Sequence, residues 1–147
     1  MNQKVYSIAL AVVIAFTLNA CVSNNNLKIE QGAVILKSTK CYEGALLTLV
    51  PSHGAIADSI AISMANTANK DEGIAQEMKN AITNGSNSFA FYSENNDKMS
   101  ALLNAALTNF KENELSNVHL CYIGSKESAK SLDKELQRTG ALYKNIQ

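Results

Sequence analysis

The chain has 147 residues, is 46% apolar, and carries 13 basic against 13 acidic side chains for a formal charge of zero. That is the length of one ordinary domain with enough apolar material to bury a core without a structural metal. No basic run or patch is present, which argues against a nucleic-acid partner and against attraction to an anionic lipid surface.

Met1-Asn2-Gln3-Lys4 carries one positive charge, Val5 to Leu18 holds no charged side chain, and the small residue Ala20 stands before Cys21. A charged flank, an apolar centre and a small residue at the end make the layout of a secretory signal. Leu18-Asn19-Ala20-Cys21 resembles the lipobox of bacterial lipoproteins, usually Leu, a small residue, Gly or Ala, then Cys. Leu18, Ala20 and Cys21 match it; Asn19 is a less usual occupant of the second place. The resemblance covers only this first part of the chain. It implies cleavage after Ala20, a diacylglycerol thioether on Cys21, and acylation (palmitate or a similar chain) of the new N-terminus. Each buried methylene contributes roughly 0.8 kcal/mol, so two or three chains hold a protein at a membrane where one would not. Val5 to Leu18 is shorter than the roughly 20 residues a membrane span needs.

Residues 1–20 are therefore read as a lipoprotein signal peptide. Residues 21–32, with Asn24-Asn25-Asn26, read as a lipidated N-terminus and polar tether, and residues 33–147 as a single α/β domain. Inner-membrane members of the family often carry Asp after the lipidated cysteine. Val22 in that place implies the outer membrane, with the domain facing the periplasm.

Ala33-Val34-Ile35-Leu36-Lys37 is β-prone and is expected to form a first strand. Ser38-Thr39 is then expected to open a helix from Cys41 to Val50, stopped by Pro51 and Gly54. A small-residue helix from Ala55 to Ala68 places Ile56, Ile60 and Met64 at four-residue spacing, with Ala57, Ala61 and Ala65 alongside. A break near Lys70 to Gly73 precedes another helical face of Ile74, Met78 and Ile82.

Ser88 to Ser93 is short, aromatic and bounded by turn residues, which predicts a strand. A helix from about Asp97 to Asn113 follows, with Met99, Leu102, Leu103, Ala106, Leu107 and Phe110 on one face. Asn117 to Gly124 reads as a strand buried on both sides. Ser125 then caps a final helix carrying Ala129, Leu132, Leu136 and Tyr143, bent late by Gly140. Strand, helix, strand, helix makes a C-terminal βαβα unit whose crossover is long enough to set its strands parallel. The expected architecture is α/β, a small sheet of about three strands with helices packed on it.

With Cys21 assigned to lipid, Cys41 and Cys121 remain as an even pair in an exported chain, which points to a disulfide. Neither cysteine has the close-spaced ligands of a metal site, and no cofactor motif occurs. Parallel sheets place ligands at the carboxyl ends of their strands. Those ends carry Asn95-Asn96-Asp97 and Ser125, a candidate ligand site whose helix N-termini could receive an anion or serve only as N-caps. Ser52, His53 and Asp58 lie close in sequence but not in a nucleophile-elbow pattern; His53 reads as a turn residue and His119 as a core histidine bonded to a carbonyl. No catalytic residue is assigned.

A stripe such as Ile56, Ile60 and Met64 is more often core than contact, but it forms the candidate partner surface, for a helix-in-groove or dimer contact, because few polar residues guard it. The sequence thus favours a lipid-anchored envelope protein that binds another envelope protein, as an accessory or protective factor. The alternative is a small ligand-binding or enzymatic domain using the two helix starts. An exposed apolar patch at Ile56–Met64 without a deep cleft separates the first from the second, which requires a concave site holding Asp97 or His119.

Overall fold

A strand buried on both faces needs a layer on each side. The computed structural model, which describes residues 32–68 and 72–147, supplies two unequal layers. In chain order the elements are α1 (residues 32–38), β1 (Leu46–Val50), α2 (Ala55–Ala68), α3 (Glu72–Thr83), β2 (Ser88–Ser93) and α4 (Asn96–Leu107). Then come β3 (His119–Ile123), α5 (Lys126–Ala129), a 3-10 turn (Lys130–Leu132), α6 (Asp133–Thr139) and β4 (Leu142–Ile146). All the strands are parallel and lie in sequence order, β1-β2-β3-β4. When every step goes the same way and crossovers are right-handed, the connecting helices fall on one face.

Side-chain alternation then divides the residues. Phe89, Phe91, Leu120, Tyr122 and Tyr143 face the helices and pack with Ile74 and Met78 of α3, Met99, Leu103 and Leu107 of α4, and Leu132 and Leu136 beyond β3. Burying each large side chain here contributes roughly 1.5–3 kcal/mol. Helix α2 is held differently. It rests on α4 through Ala65, Ala101 and Ala105, whose small side chains let the two backbones approach closely.

The opposite face has a thinner cover. Ala90, Cys121 and Ile123 lie beneath Cys41, Tyr42 and Ala45. Cys41 is disulfide-bonded to Cys121 with Cα atoms 5.7 Å apart. The Tyr42 ring lies 4.5 Å from the His119 ring, and Lys144 Nζ donates to the Lys40 carbonyl at 2.6 Å. Residues 40–45 thus form a strap fastened across the sheet.

Several boundaries differ from the sequence expectation. Ala33 to Lys37 is helical, not a strand; Thr39 N–H donates to the Ile35 carbonyl at 3.2 Å, and the Ser38 and Thr39 hydroxyls donate to the carbonyls of Ile35 and Leu36. Cys41 to Val50 is not a helix. Gly44 at φ +69° interrupts it, the disulfide holds Cys41 on the sheet, and Leu46–Val50 takes the edge place beside β2. The last helix does not continue through Tyr143. Gly140 at φ +75° adopts the left-handed conformation and its N–H donates to the Leu136 carbonyl, a helix stop that glycine reaches without strain. Tyr143 consequently reaches the core from β4.

Helix α4 also ends earlier than Asn113, at Leu107. Arg138 satisfies its exposed end, donating to the carbonyls of Leu107 at 2.8 Å and Phe110 at 2.7 Å.

The disulfide closes a sequence separation of 80 residues, which in the chain-entropy account stabilises the fold by about 4 kcal/mol. Cys41→Ser is expected to cost about 2–4 kcal/mol in denaturant unfolding. Thiol trapping of the oxidised protein should find neither Cys41 nor Cys121 free; labelling of either in undenatured, unreduced protein contradicts the bridge.

Candidate functional site

At the carboxyl ends of β1, β2 and β3 the chain opens a cleft of about 710 Å³ lined by Ser52, Asp58, Asn95, Asn96, Asp97 and Ser125, among others. The four residues expected to form a ligand site therefore share one concavity. Asn95 caps α4, its side chain accepting from Lys98 N–H at 3.0 Å. Ser125 caps α5 by accepting from Ser128 N–H at 3.2 Å. Asn96 joins the two loops, accepting Ser125 N–H at 3.2 Å through Oδ1 and the Tyr122 hydroxyl at 2.9 Å through its carbonyl. Asp97 accepts from Ser128 Oγ at 2.7 Å. Burial pushes the Tyr122 phenol up to about 12, and the negative charge of Asp97 acts in the same direction.

The wall toward α2 is a buried ion pair. Asp58 accepts Lys98 Nζ at 2.8 Å, Ser52 Oγ at 2.6 Å, Asn95 Nδ2 at 3.0 Å and the His53 backbone N–H at 3.1 Å. Lys98 Nζ also donates to the Pro51 carbonyl at 2.7 Å. The Lys98 ammonium, followed by the Ser52 hydroxyl, holds the Asp58 carboxyl well below the usual carboxylate range. Both side chains are almost wholly withdrawn from solvent.

These bonds decide what the site is not. Ser52 and Asp58 meet, but His53 reaches Asp58 through its backbone N–H, so no Ser-His-Asp relay forms. His119 lies at the opposite end of β3 from the cleft. Its Nδ1 is buried without a hydrogen-bond partner among the described residues, so the expected bond to a carbonyl is not made there.

Of the two readings of these helix starts, the surroundings favour N-capping over an anion. The caps use the N–H groups of Lys98 and Ser128 internally, α5 is a single turn, and Glu94, Asp97 and Glu127 line the same cleft. The only cation built into this wall, Lys98, is committed to Asp58 and Pro51. A cationic or hydroxyl-bearing ligand suits that lining better than a phosphate.

Lys98 was the residue hidden from the sequence. A lysine in a helix's first turn reads as solvated, but here it shares the α2-facing side of α4 with Ala101 and Ala105. Its signal was the i, i+3, i+7 spacing from those alanines. Ser128, missed for its ordinariness, links Ser125 to Asp97.

The other predicted positions fall elsewhere. Cys21 lies outside the described residues. Cys41 and Cys121 sit on the strapped face, away from the cleft. Ile56, Ile60 and Met64 line the outer side of α2, 81%, 56% and 65% exposed respectively. Among the described residues no group of His, Cys, Asp and Glu side chains is arranged to hold a metal ion, and no helix is long and apolar enough to cross a membrane. No protein-family model, curated protein or solved structure matches this chain.

Asp58 yields a pH prediction. Its folded-state pKa is depressed, so the unfolded chain takes up the proton first as pH falls. Its contribution is complete above about pH 5 and is lost progressively below about pH 4. Unfolding midpoints across that range should show a steep acid limb that Asp58→Asn flattens. Lys98→Met should destabilise at neutral pH, since it strands a buried carboxylate.

Gly124 yields another. A Cβ there would overlap Asn96 Oδ1 and lie 2.7 Å from Tyr122 Cε1. Gly124→Ala is expected to cost about 1–3 kcal/mol by thermal or denaturant unfolding.

Proposed function

We propose that this protein is a bacterial envelope lipoprotein, anchored through lipid on Cys21, that works by binding a protein partner along Ile56, Ile60 and Met64. One observation carries the binding reading. These three large apolar side chains are 81%, 56% and 65% exposed on a helix whose described charge, Asp58, is turned inward. An outward helix face with large apolar groups and no charged guard is the pattern of an interaction surface rather than of a solvated helix. The Cys41–Cys121 disulfide supports export, because such bonds persist in oxidising compartments. In this reading lipid fixes the position at the outer membrane, facing the periplasm. The fold presents a surface, in the manner of an accessory subunit or a protective factor such as an immunity or exclusion lipoprotein.

A second reading rests on the cleft at the strand ends, a concave site that Asp97 lines as this reading requires; the structure holds both the patch and the cleft, so that criterion does not separate the two readings. Asn95, Asn96, Asp97 and Ser125 meet there as a ligand-binding or enzymatic domain requires. The polar groups are, however, largely engaged with one another, and among the described residues the Ser52 hydroxyl meets a carboxylate already committed to Lys98 and no histidine base. Binding of a small polar molecule is the form of this alternative that suits the geometry.

The tests separate anchoring from binding. Cells labelled with a fatty-acid analogue should label the wild type, and Cys21→Ser should abolish label and leave uncut precursor. Affinity capture from the native envelope should return a reproducible partner that Ile60→Asp loses while its melting temperature is kept. An unlabelled, soluble wild type rejects the anchor. Capture unchanged by Ile60→Asp rejects the surface.

A further inference from the structure

We infer that β1 is a self-pairing edge: two copies of this chain join their β1 strands antiparallel about a two-fold axis at Thr48, making one continuous sheet. An open parallel sheet has two edges, and soluble proteins protect such edges with charge, proline, bulges or a covering segment. The edges here are β1 and β4. Strand β4 carries a charge, Lys144, of the kind that guards an edge. Strand β1, Leu-Leu-Thr-Leu-Val, has no charge and no proline, and five consecutive residues pair with β2 without a bulge. Its outer side makes no backbone hydrogen bond to any described residue.

The apolar exposure wraps around this edge. Leu46, beside Phe89, lies on the helix-covered face and is 45% exposed; Leu49, beside Tyr92, lies on the strapped face and is 49% exposed. A partner that covered only one face would leave the other leucine in water. An added strand covers both.

The order of the residues selects a second copy as that strand. Read backwards, the strand is Val-Leu-Thr-Leu-Leu, almost the same in character. Antiparallel pairing centred on Thr48 sets Leu46 against Val50 of the second copy, Leu47 against Leu49, and Thr48 against Thr48. Each pair then keeps to one face, as cross-strand neighbours must, and no like charges are opposed. The contact is isologous and closed, so it ends at two chains.

This inference is independent of the α2 surface, and cysteine placement distinguishes them. Sedimentation equilibrium of the full chain in detergent should show a reversible dimer. Thr48→Cys should form an intermolecular disulfide at position 48 on mild oxidation, because directly opposed strand residues have suitable Cα spacing. Ile60→Cys should not. Leu49→Lys changes an exposed residue, so its circular dichroism, and its melting temperature at concentrations where both proteins are monomeric, should match the wild type while the dimer dissociation constant rises by about tenfold or more. A monomer at every concentration, open fibres in place of a dimer, or cross-linking at position 60 but not 48 would each overturn the assignment.

Discussion

The Asp58–Lys98 pair is the constraint on which the arrangement of this molecule depends. Helix α2 does not share the main core; it packs on α4 through Ala65, Ala101 and Ala105 with Ile62 and Leu102 alongside, and small side chains by themselves leave sliding and rotation poorly specified. A buried carboxylate bonded to four donors, one of them the Lys98 ammonium, fixes both. Buried ion pairs seldom stabilise more than an apolar replacement would, but they penalise every arrangement that separates them. Here that penalty sets the rotation of α2. With Asp58 turned inward, Ile56, Ile60 and Met64 are turned outward, and the same bonds form one wall of the cleft. The apolar stripe and the polar cleft are consequences of one contact.

Sequential strand order explains the second asymmetry. Crossovers that all fall on one face leave the other without a helical layer from the βα units, and among the described residues the segment before β1 covers it. Tyr42, Ala45 and Cys41 do so over Ala90, Cys121 and Ile123. A strap of a few residues buries little apolar area, so a covalent tie is the effective means of holding it. Lys144 adds a second fastening through the Lys40 carbonyl and lies 5.8 Å from the Tyr42 ring. The disulfide is therefore placed where noncovalent packing is thinnest.

What the sequence revealed follows the strength of each local signal. Strands β2 and β3 were legible because their aromatic and apolar runs end in turn residues and are buried on both sides. The face of α4 was legible from its helical spacing, and the cleft residues from their place after predicted parallel strands. The first strand and the segment before it were exchanged. Ala33-Val34-Ile35-Leu36 has β-branched residues and forms helix, whereas Leu46-Leu47-Thr48-Leu49 has helix formers and forms strand. Short apolar runs do not reveal their period, and pairing with β2 decided between them. Strand β4 was hidden because Gly140 was read as a bend when its left-handed conformation is a stop. Lys98 escaped because burial of a lysine depends on a carboxylate 40 residues away in sequence.

The two sides of the sheet also bear on how an anchored protein would present itself. Lys37 of α1 borders the same depression as Tyr92 and Ile123, whose side chains lie on the strapped face. Helix α1 thus borders the sheet on the face opposite α4, and α2 lies beyond α4. From Cys21 to residue 32 the chain can reach roughly 40 Å at most when fully extended. On the proposed anchoring, a tether of that reach is comparable with the domain itself, so it permits the α2 stripe to face away from the membrane without fixing the domain's orientation. Edge strand β1 lies between these two sides, so pairing there would oppose neither the anchor nor the stripe. Two copies related by a two-fold axis perpendicular to the sheet would keep both strapped faces on the same side. That geometry allows two anchors to enter one membrane while both α2 surfaces remain open to a partner.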